Sequence, residues 1–368
     1  MIGYAFAPQT LRHDPPPTML RTAGAAVALG EDNIAGPARC AAAHELVEAS
    51  GLLDRLARLD VAPAPDGALL AVHDAAYLAA LEAASAGGPW AFDFAPVTFA
   101  TADAARLSAG CGVAAVDAVL DGRVRRAFAQ THPPGHHAER ALAAGSSYLN
   151  TVACAAAHAR ARGAERVLIV DWDVHIGNGA EQIFADDPSV LALSIHQDGW
   201  YPDHAGDVAS RGADSTTVNV PLPPAVGDDG YLLVLEAVVA PIARRFAPDA
   251  IVVAAGQDIG IFDPMGRMLV SAAGFRALGA RIAALADEVC EGRLVVCVEG
   301  GYSLLYAPLC ALRVLEGIAG EDAGVADPFE GDAELRAAAT PPDGRLDAAI
   351  ERVRTTHSRW FREERSHR

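Results

Sequence analysis

Short apolar or β-branched runs bounded by turn residues alternate along this chain with longer stretches in which apolar residues recur every three or four positions. The runs 126–130, 166–170, 190–196, 250–255 and 294–298 predict strands. Segments 150–162, 230–245, 272–288 and 304–317 predict helices. That alternation is the pattern of an α/β domain around a largely parallel sheet. Neither an internal repeat nor a low-complexity linker divides the chain, and the proline-rich spots at 15–17, 63–65 and 221–224 are short enough to be loops. The sequence therefore reads as one domain, 1–368, closed by a charged amphipathic helix from about 332 to 368 with an exposed end.

Composition narrows the partners. Of 368 residues 51% are hydrophobic and 21% charged, enough apolar material for a sizeable core and too much for disorder. The formal net charge of -18 repels phosphate backbones, and no arginine-rich run precedes the C-terminal tail, so nucleic acid is not an expected partner. Small molecules or peptides fit better. Six scattered cysteines without a CxxC pair read as reduced thiols of a cytoplasmic protein. The N-terminus lacks the basic and apolar regions of a secretory signal, and the longest stretch without Asp, Glu or Arg, 141–159, is too polar to span a membrane. The long first loop and the charged terminal helix are candidate surfaces for a homo-oligomer.

The chemistry follows the strands. After the runs near 130, 170, 255 and 298 come THPPGHHAER, DWDVHIGNG, GQD and EGGY. In parallel α/β sheets functional groups gather beyond the carboxyl ends of the strands, so four polar clusters at four such ends predict one shared cavity. Alternation along an extended DWDVH segment points Asp171, Asp173 and His175 one way and Trp172 and Val174 the other. An Asp and a His two residues apart, joined by Asp258 from another strand end, can hold a metal through oxygen and nitrogen and leave positions open for water, as in a catalytic zinc site. His136 and His137 emerge from the rigid Pro133-Pro134-Gly135 turn as a candidate proton-transfer pair. Tyr302, after Gly300-Gly301, can offer a hydroxyl to a carbonyl oxygen.

These motifs, with the spacing to Gly145 and Asn150, LSIHQ, RGAD, VNVPLPP, DPMGRM and EGGYS, together resemble the zinc-dependent histone deacetylase superfamily over about His44 to Leu312. The resemblance is nearest to bacterial histone deacetylase-like amidohydrolases and acetylpolyamine amidohydrolases. It implies the arginase/deacetylase fold, a single domain around a mainly parallel eight-stranded sheet flanked by helices. It also implies one catalytic Zn2+ on Asp173, His175 and Asp258, and tandem histidines His136 and His137 supported by Asp171 and Asn178. The carbonyl-polarising tyrosine falls on Tyr302, and a structural K+ falls near Asp171 and Ser194. The implied reaction is hydrolysis of an N-acyl amide: Tyr302 polarises the carbonyl, His137 takes a proton from the attacking water, and a histidine protonates the departing amine. The Gly145 carbonyl matches a position that receives the substrate amide N–H.

Departures from the family pattern bear on the substrate. Ile176 replaces a second histidine, and Gly145-Ser146-Ser147 stands where relatives carry Gly-Phe-Cys, removing one aromatic wall of the acyl tunnel. Trp200 or Tyr201 is the candidate for the other wall. Gln257 precedes the ligand Asp258, and Met265 occupies the position where polyamine deacetylases carry an acidic gatekeeper. A wider, more polar tunnel than an acetyl-lysine pocket is expected. His13, Asp14 and His204 are further candidates for the tunnel mouth. Three readings stay open: a zinc amidohydrolase, acting on acyl-lysine-like amides, acetylpolyamines or small N-acetylated amines; a metal-retaining binding or regulatory protein; and an arginase-like dimetal hydrolase, which needs bridging carboxylates that the sequence does not show.

Overall fold

The computed structural model describes residues 1–21, 26–29, 33–92, 95–338 and 344–362. Eight strands build one sheet: β1 (Ile2–Ala5), β2 (Ala57–Leu59), β3 (Arg126–Ala129), β4 (Val167–Asp171), β5 (Val190–Gln197), β6 (Thr217–Leu222), β7 (Ala250–Ala255) and β8 (Leu294–Val298). Their order is β2-β1-β3-β8-β7-β4-β5-β6. Every pairing is parallel, so the expected mainly parallel sheet is wholly so. A separate antiparallel pair, Thr18–Arg21 with Ala26–Leu29, stands outside it.

Parallel neighbours must be joined by crossovers, and the helices that make them cover both faces, so the central strands are buried throughout. Alternation divides each strand between two cores. Leu168 and Val170 of β4, with Ile251 and Val253 of β7, pack under the helices Ala272–Cys290 and Ala307–Ala319. Val167, Ile169, Val252 and Ala254 face the helices Thr101–Leu120 and Thr151–Ala161. Each such aliphatic side chain contributes roughly 1.5–3 kcal/mol when fully buried, which is why uninterrupted β-branched runs form these strands.

The five expected strands and four expected helices are present. The helix expected at 230–245 runs from Asp228 to Phe246 with a π-helical turn at Leu235–Val239. The single terminal helix expected from 332 is corrected: two helices form, Glu330–Ala338 and Arg345–Thr356. Pro341 and Pro342 lie between them in the sequence, and neither can donate the backbone hydrogen bond that a continuous helix needs. The second helix does not project into solvent. Val353 and His357 are fully buried, His357 Nε2 pairs with the Val208 carbonyl, and the Trp360 indole N–H donates to the Ser215 carbonyl. The expected exposed end at 363–368 lies outside the described residues. Among the described residues, no helix is long and apolar enough to cross a membrane.

The topology places the chemistry. β3, β8, β7 and β4 are contiguous in the sheet, and all four carboxyl ends point the same way. The segments THPPGHH, EGGY, GQD and DWDVH thus leave the sheet side by side, converging as the strand pattern predicts.

Candidate metal centre

DWDVH leaves β4 at Asp171, and the alternation holds beyond the strand: Trp172 and Val174 enter the hydrophobic core while the three polar residues turn to the opposite side. The Asp173 amide donates to Asp171 Oδ1 at 2.9 Å, folding the segment back on itself. His175 Nδ1 lies 2.9 Å from Asp173 Oδ1 and 3.1 Å from Asp258 Oδ2. The donor atoms of Asp173, His175 and Asp258 all fall within 4.8 Å of one another, and all three residues are buried. Backbone amides fix the carboxylates: Val174 N–H donates to Asp258 Oδ1 at 2.9 Å and Gly300 N–H to Asp173 Oδ2 at 2.7 Å. A Cβ on Gly300 would stand 2.2 Å from Asp258 Oδ2, so only glycine lets the segment beyond β8 pass this close.

The carboxylates of Asp171, Asp173 and Asp258 are met by only two imidazoles, His136 and His175, whose pKa values they raise. Burial and the neighbouring Asp173 push the Asp258 carboxyl up to about 8. Asp258 Oδ2, fully buried, has no partner beyond its ion-pair contact with His175 Nδ1. An orphaned buried carboxylate oxygen beside a second carboxylate and an imidazole is the donor set of a divalent metal, and of zinc in particular. The residues fit the metal that the sequence implies.

The tandem histidines differ in their surroundings. His136 Nδ1 meets Asp171 Oδ2 at 3.0 Å, and His137 Nδ1 meets Asn178 Oδ1 at 2.8 Å. Burial opposes charge on His136, but the Asp173 and Asp171 carboxylates outweigh it and raise its pKa well above the ordinary value. For His137 burial acts with the positive neighbours His136 and His175, and its pKa falls well below the ordinary value. The two rings, with centroids 4.0 Å apart, are thereby divided into one that holds a proton and one that stays neutral. Glu299, at the end of β8, accepts the Gly135 and His136 amide hydrogens at 2.6 and 3.1 Å and anchors the turn that presents both rings.

Tyr302 lies edge-on to His175, ring centroids 6.3 Å apart, and its amide donates to Asp263 Oδ2 at 2.5 Å. Burial, with Asp173 nearby, raises its hydroxyl well above the ordinary value, so it stays protonated and able to donate. Met265, exposed, follows on the same loop. Of the two aromatic candidates, Tyr201 is the one at the centre: its ring stands edge-on to His137 at 5.1 Å and to His175 at 6.2 Å. Trp200 is turned away, its indole N–H on the Met265 carbonyl and its ring under Arg267. Gly145, in the left-handed region at φ +52, lies against His137 so closely that a Cβ would stand 2.3 Å from its Cδ2. Ser146 follows at φ +61, half-buried.

Gln257 is placed differently from its expected position beside the substrate. Its amide donates to the Ala255 carbonyl at 2.6 Å, and it lines a small internal cavity with Arg39, Gln130 and Thr131. Arg39 was not singled out in the sequence, because nothing near it in the chain is polar in the pattern of the site. Its guanidinium reaches the Glu299 carbonyl at 2.6 Å and lies 5.4 Å from the centroid of the Tyr302 ring. His13 is buried against Thr101 and His132 rather than at a mouth. Asp171 and Ser194 are register partners on β4 and β5.

Comparison with known proteins agrees with this geometry. The histone deacetylase domain family matches residues 34–318. A histone deacetylase-like amidohydrolase of Pseudomonas aeruginosa is 41% identical over 296 residues, covering 79% of this chain and 78% of the relative. The human polyamine deacetylase HDAC10 is 36% identical over 293 residues, covering 74% of this chain and 43% of the relative. A crystal structure of the HDA15 HD domain superposes with a TM-score of 0.82 at 28% identity, covering 98% of each chain.

Proposed function

The chain belongs to the histone deacetylase family, whose members are zinc-dependent hydrolases, and from that premise we propose that it hydrolyses linear N-acyl amides, acyl-lysine-like or small N-acetylated amines. The observation that carries this reading is the buried Asp173, His175 and Asp258 group with its orphaned oxygen, set beside two histidines of opposite character. Zinc held there supplies Lewis acidity toward a water and an acyl carbonyl. The protein's own groups do the rest. His137 accepts the proton of the attacking water at Nε2, since its Nδ1 is engaged by Asn178. His136, held by Asp171, carries the proton that the departing amine needs. The Tyr302 hydroxyl donates to the carbonyl oxygen as negative charge grows on it. Tyr201 supplies one wall for the acyl chain, and Ser146 leaves the facing side open to a broader substrate than an acetyl-lysine stem.

The likeness to a polyamine deacetylase supports acetylpolyamines as a second substrate class, whereas Met265 offers no carboxylate to a second ammonium group. A panel of acetyl-lysine, trifluoroacetyl-lysine and acetylpolyamine amides ranks the two. Chelator-sensitive turnover is expected, and Tyr302→Phe should lower kcat by about 10²–10³-fold with zinc retained. Full zinc loading with no turnover of any amide would overturn the reading in favour of a binding protein.

A further inference from the structure

Asn178 uses its amide in three contacts, two to acceptors and one to a donor, that fix which way it points. Its Nδ2 donates to the His137 carbonyl at 3.1 Å and to Glu139 Oε1 at 2.8 Å. Both partners can only accept, so the two hydrogens of the amide are committed and Oδ1 is left to face His137 Nδ1. An amide oxygen cannot donate, so the hydrogen of that contact belongs to Nδ1, and the lone pair of the neutral ring lies on Nε2. A flipped amide would present hydrogens to Nδ1 and move the ring proton to Nε2, removing the base. The His137 carbonyl opposes the flip with one neutral hydrogen bond, and Glu139 with a charge-assisted one.

Glu139 is built for this task. Its amide donates to the Leu142 carbonyl at 2.9 Å and its carbonyl pairs with His73 Nδ1 at 3.0 Å, so its backbone is held on both sides. Its side chain is 16% exposed, and from solvent His204 Nε2 reaches the same Oε1 at 3.0 Å. His204 follows Tyr201 by three residues, so one carboxylate ties the loop of the aromatic wall to the support of the base.

We propose that Glu139 is a positioning residue that, through the Asn178 amide, sets the His137 tautomer with hydrogen on Nδ1 and the lone pair on Nε2. This rests on the reading of His137 as the base. The test uses zinc-loaded protein with 15N-labelled histidine. Glu139→Ala is expected to lower kcat by about 10- to 100-fold with KM, zinc content and Tm held, and to weaken the His137 Nδ1–H resonance. Glu139→Gln, which keeps an acceptor oxygen, should lose less. Adding Asn178→Asp to Glu139→Ala should restore both rate and resonance, because a carboxylate accepts from Nδ1 in either orientation. Wild-type rate and resonance in Glu139→Ala would overturn the proposal, as would a lost rate with the resonance intact. Absence of amide hydrolysis by the wild type would instead count against His137 as a base in this reaction, and the resonance would still report whether Glu139 sets the tautomer.

Discussion

Two acid-rich places among the described residues are opposites. A cleft of about 1050 Å³ lies between the helix Ala272–Cys290 and the C-terminal helices, with Asp228, Asp229, Asp322, Glu330 and Glu334 along its walls. Most of these acids are exposed, and Asp322 lies 3.4 Å from Arg276. At the strand ends, by contrast, Asp171, Asp173 and Asp258 are almost wholly withdrawn from water. The number of carboxylates does not separate the two places. Withdrawal from solvent does, because a charge that water no longer screens must be met by a cation or by a proton.

That contrast can be broken first at the centre. Asp258→Asn should abolish zinc binding and lower turnover by about 10³-fold or more, read by metal analysis and amide hydrolysis. With chelator present and the pH above about 8, where the Asp258 carboxyl is ionised, the same variant should unfold at a higher temperature than the wild type, since it removes a buried charge facing Asp173. A lower Tm in chelator would show that the two carboxylates do not repel one another.

A second effect is smaller and lies behind the centre, at His73. Its Nδ1 pairs with the Glu139 carbonyl, and its Nε2 accepts the Asn150 amide hydrogen at 3.0 Å. One neutral tautomer satisfies both contacts, and burial lowers its pKa to about 4. The unfolded chain takes up this proton as pH falls below about 6.5, and the folded chain only near 4, so the contribution is complete above 6.5 and is lost on acidification. His73→Gln, which does not titrate, should flatten the fall in unfolding free energy between pH 7 and pH 5 by on the order of 1–2 kcal/mol. Denaturant titrations at the two pH values read it, and parallel curves would refute it.

The smallest effect belongs to the large cleft. Asp229→Asn with Glu334→Gln should leave activity unchanged and shift stability by no more than about 0.5 kcal/mol. A loss of turnover there would mean that open, solvated carboxylates matter as much as enclosed ones.

Much of this was legible in the chain. Long apolar runs mark β3, β4, β5, β7 and β8, and the motifs that follow them carry the Asp173, His175 and Asp258 group and both histidines. The strands that pattern missed are those whose burial is decided elsewhere. Ile2–Ala5 is short and terminal, Ala57–Leu59 is a half-exposed edge, and Thr217–Leu222 contains Pro221, which only an edge strand tolerates. Glu139 was passed over because its meaning comes from Asn178, which is 39 residues away in sequence and 2.8 Å away in space. Gln257 misled for the complementary reason. Alternation at the strand end turns the side chain before a ligand to the other side, and here that is the inner one.

The order of the strands has a consequence for how the protein comes into being. β8 is the last strand to leave the ribosome, and it lies between β3 and β7 in the middle of the sheet. Until residues 294–302 have emerged, β3 and β7 have no common neighbour, and neither the Gly300 amide nor the Glu299 carboxylate is in place. A nascent chain that stops short of β8 therefore exposes two unpaired parallel edges, the template on which chains aggregate. The backbone amide that fixes Asp173 and the carboxylate that anchors the His136 turn are thus among the last parts of the centre to be synthesised.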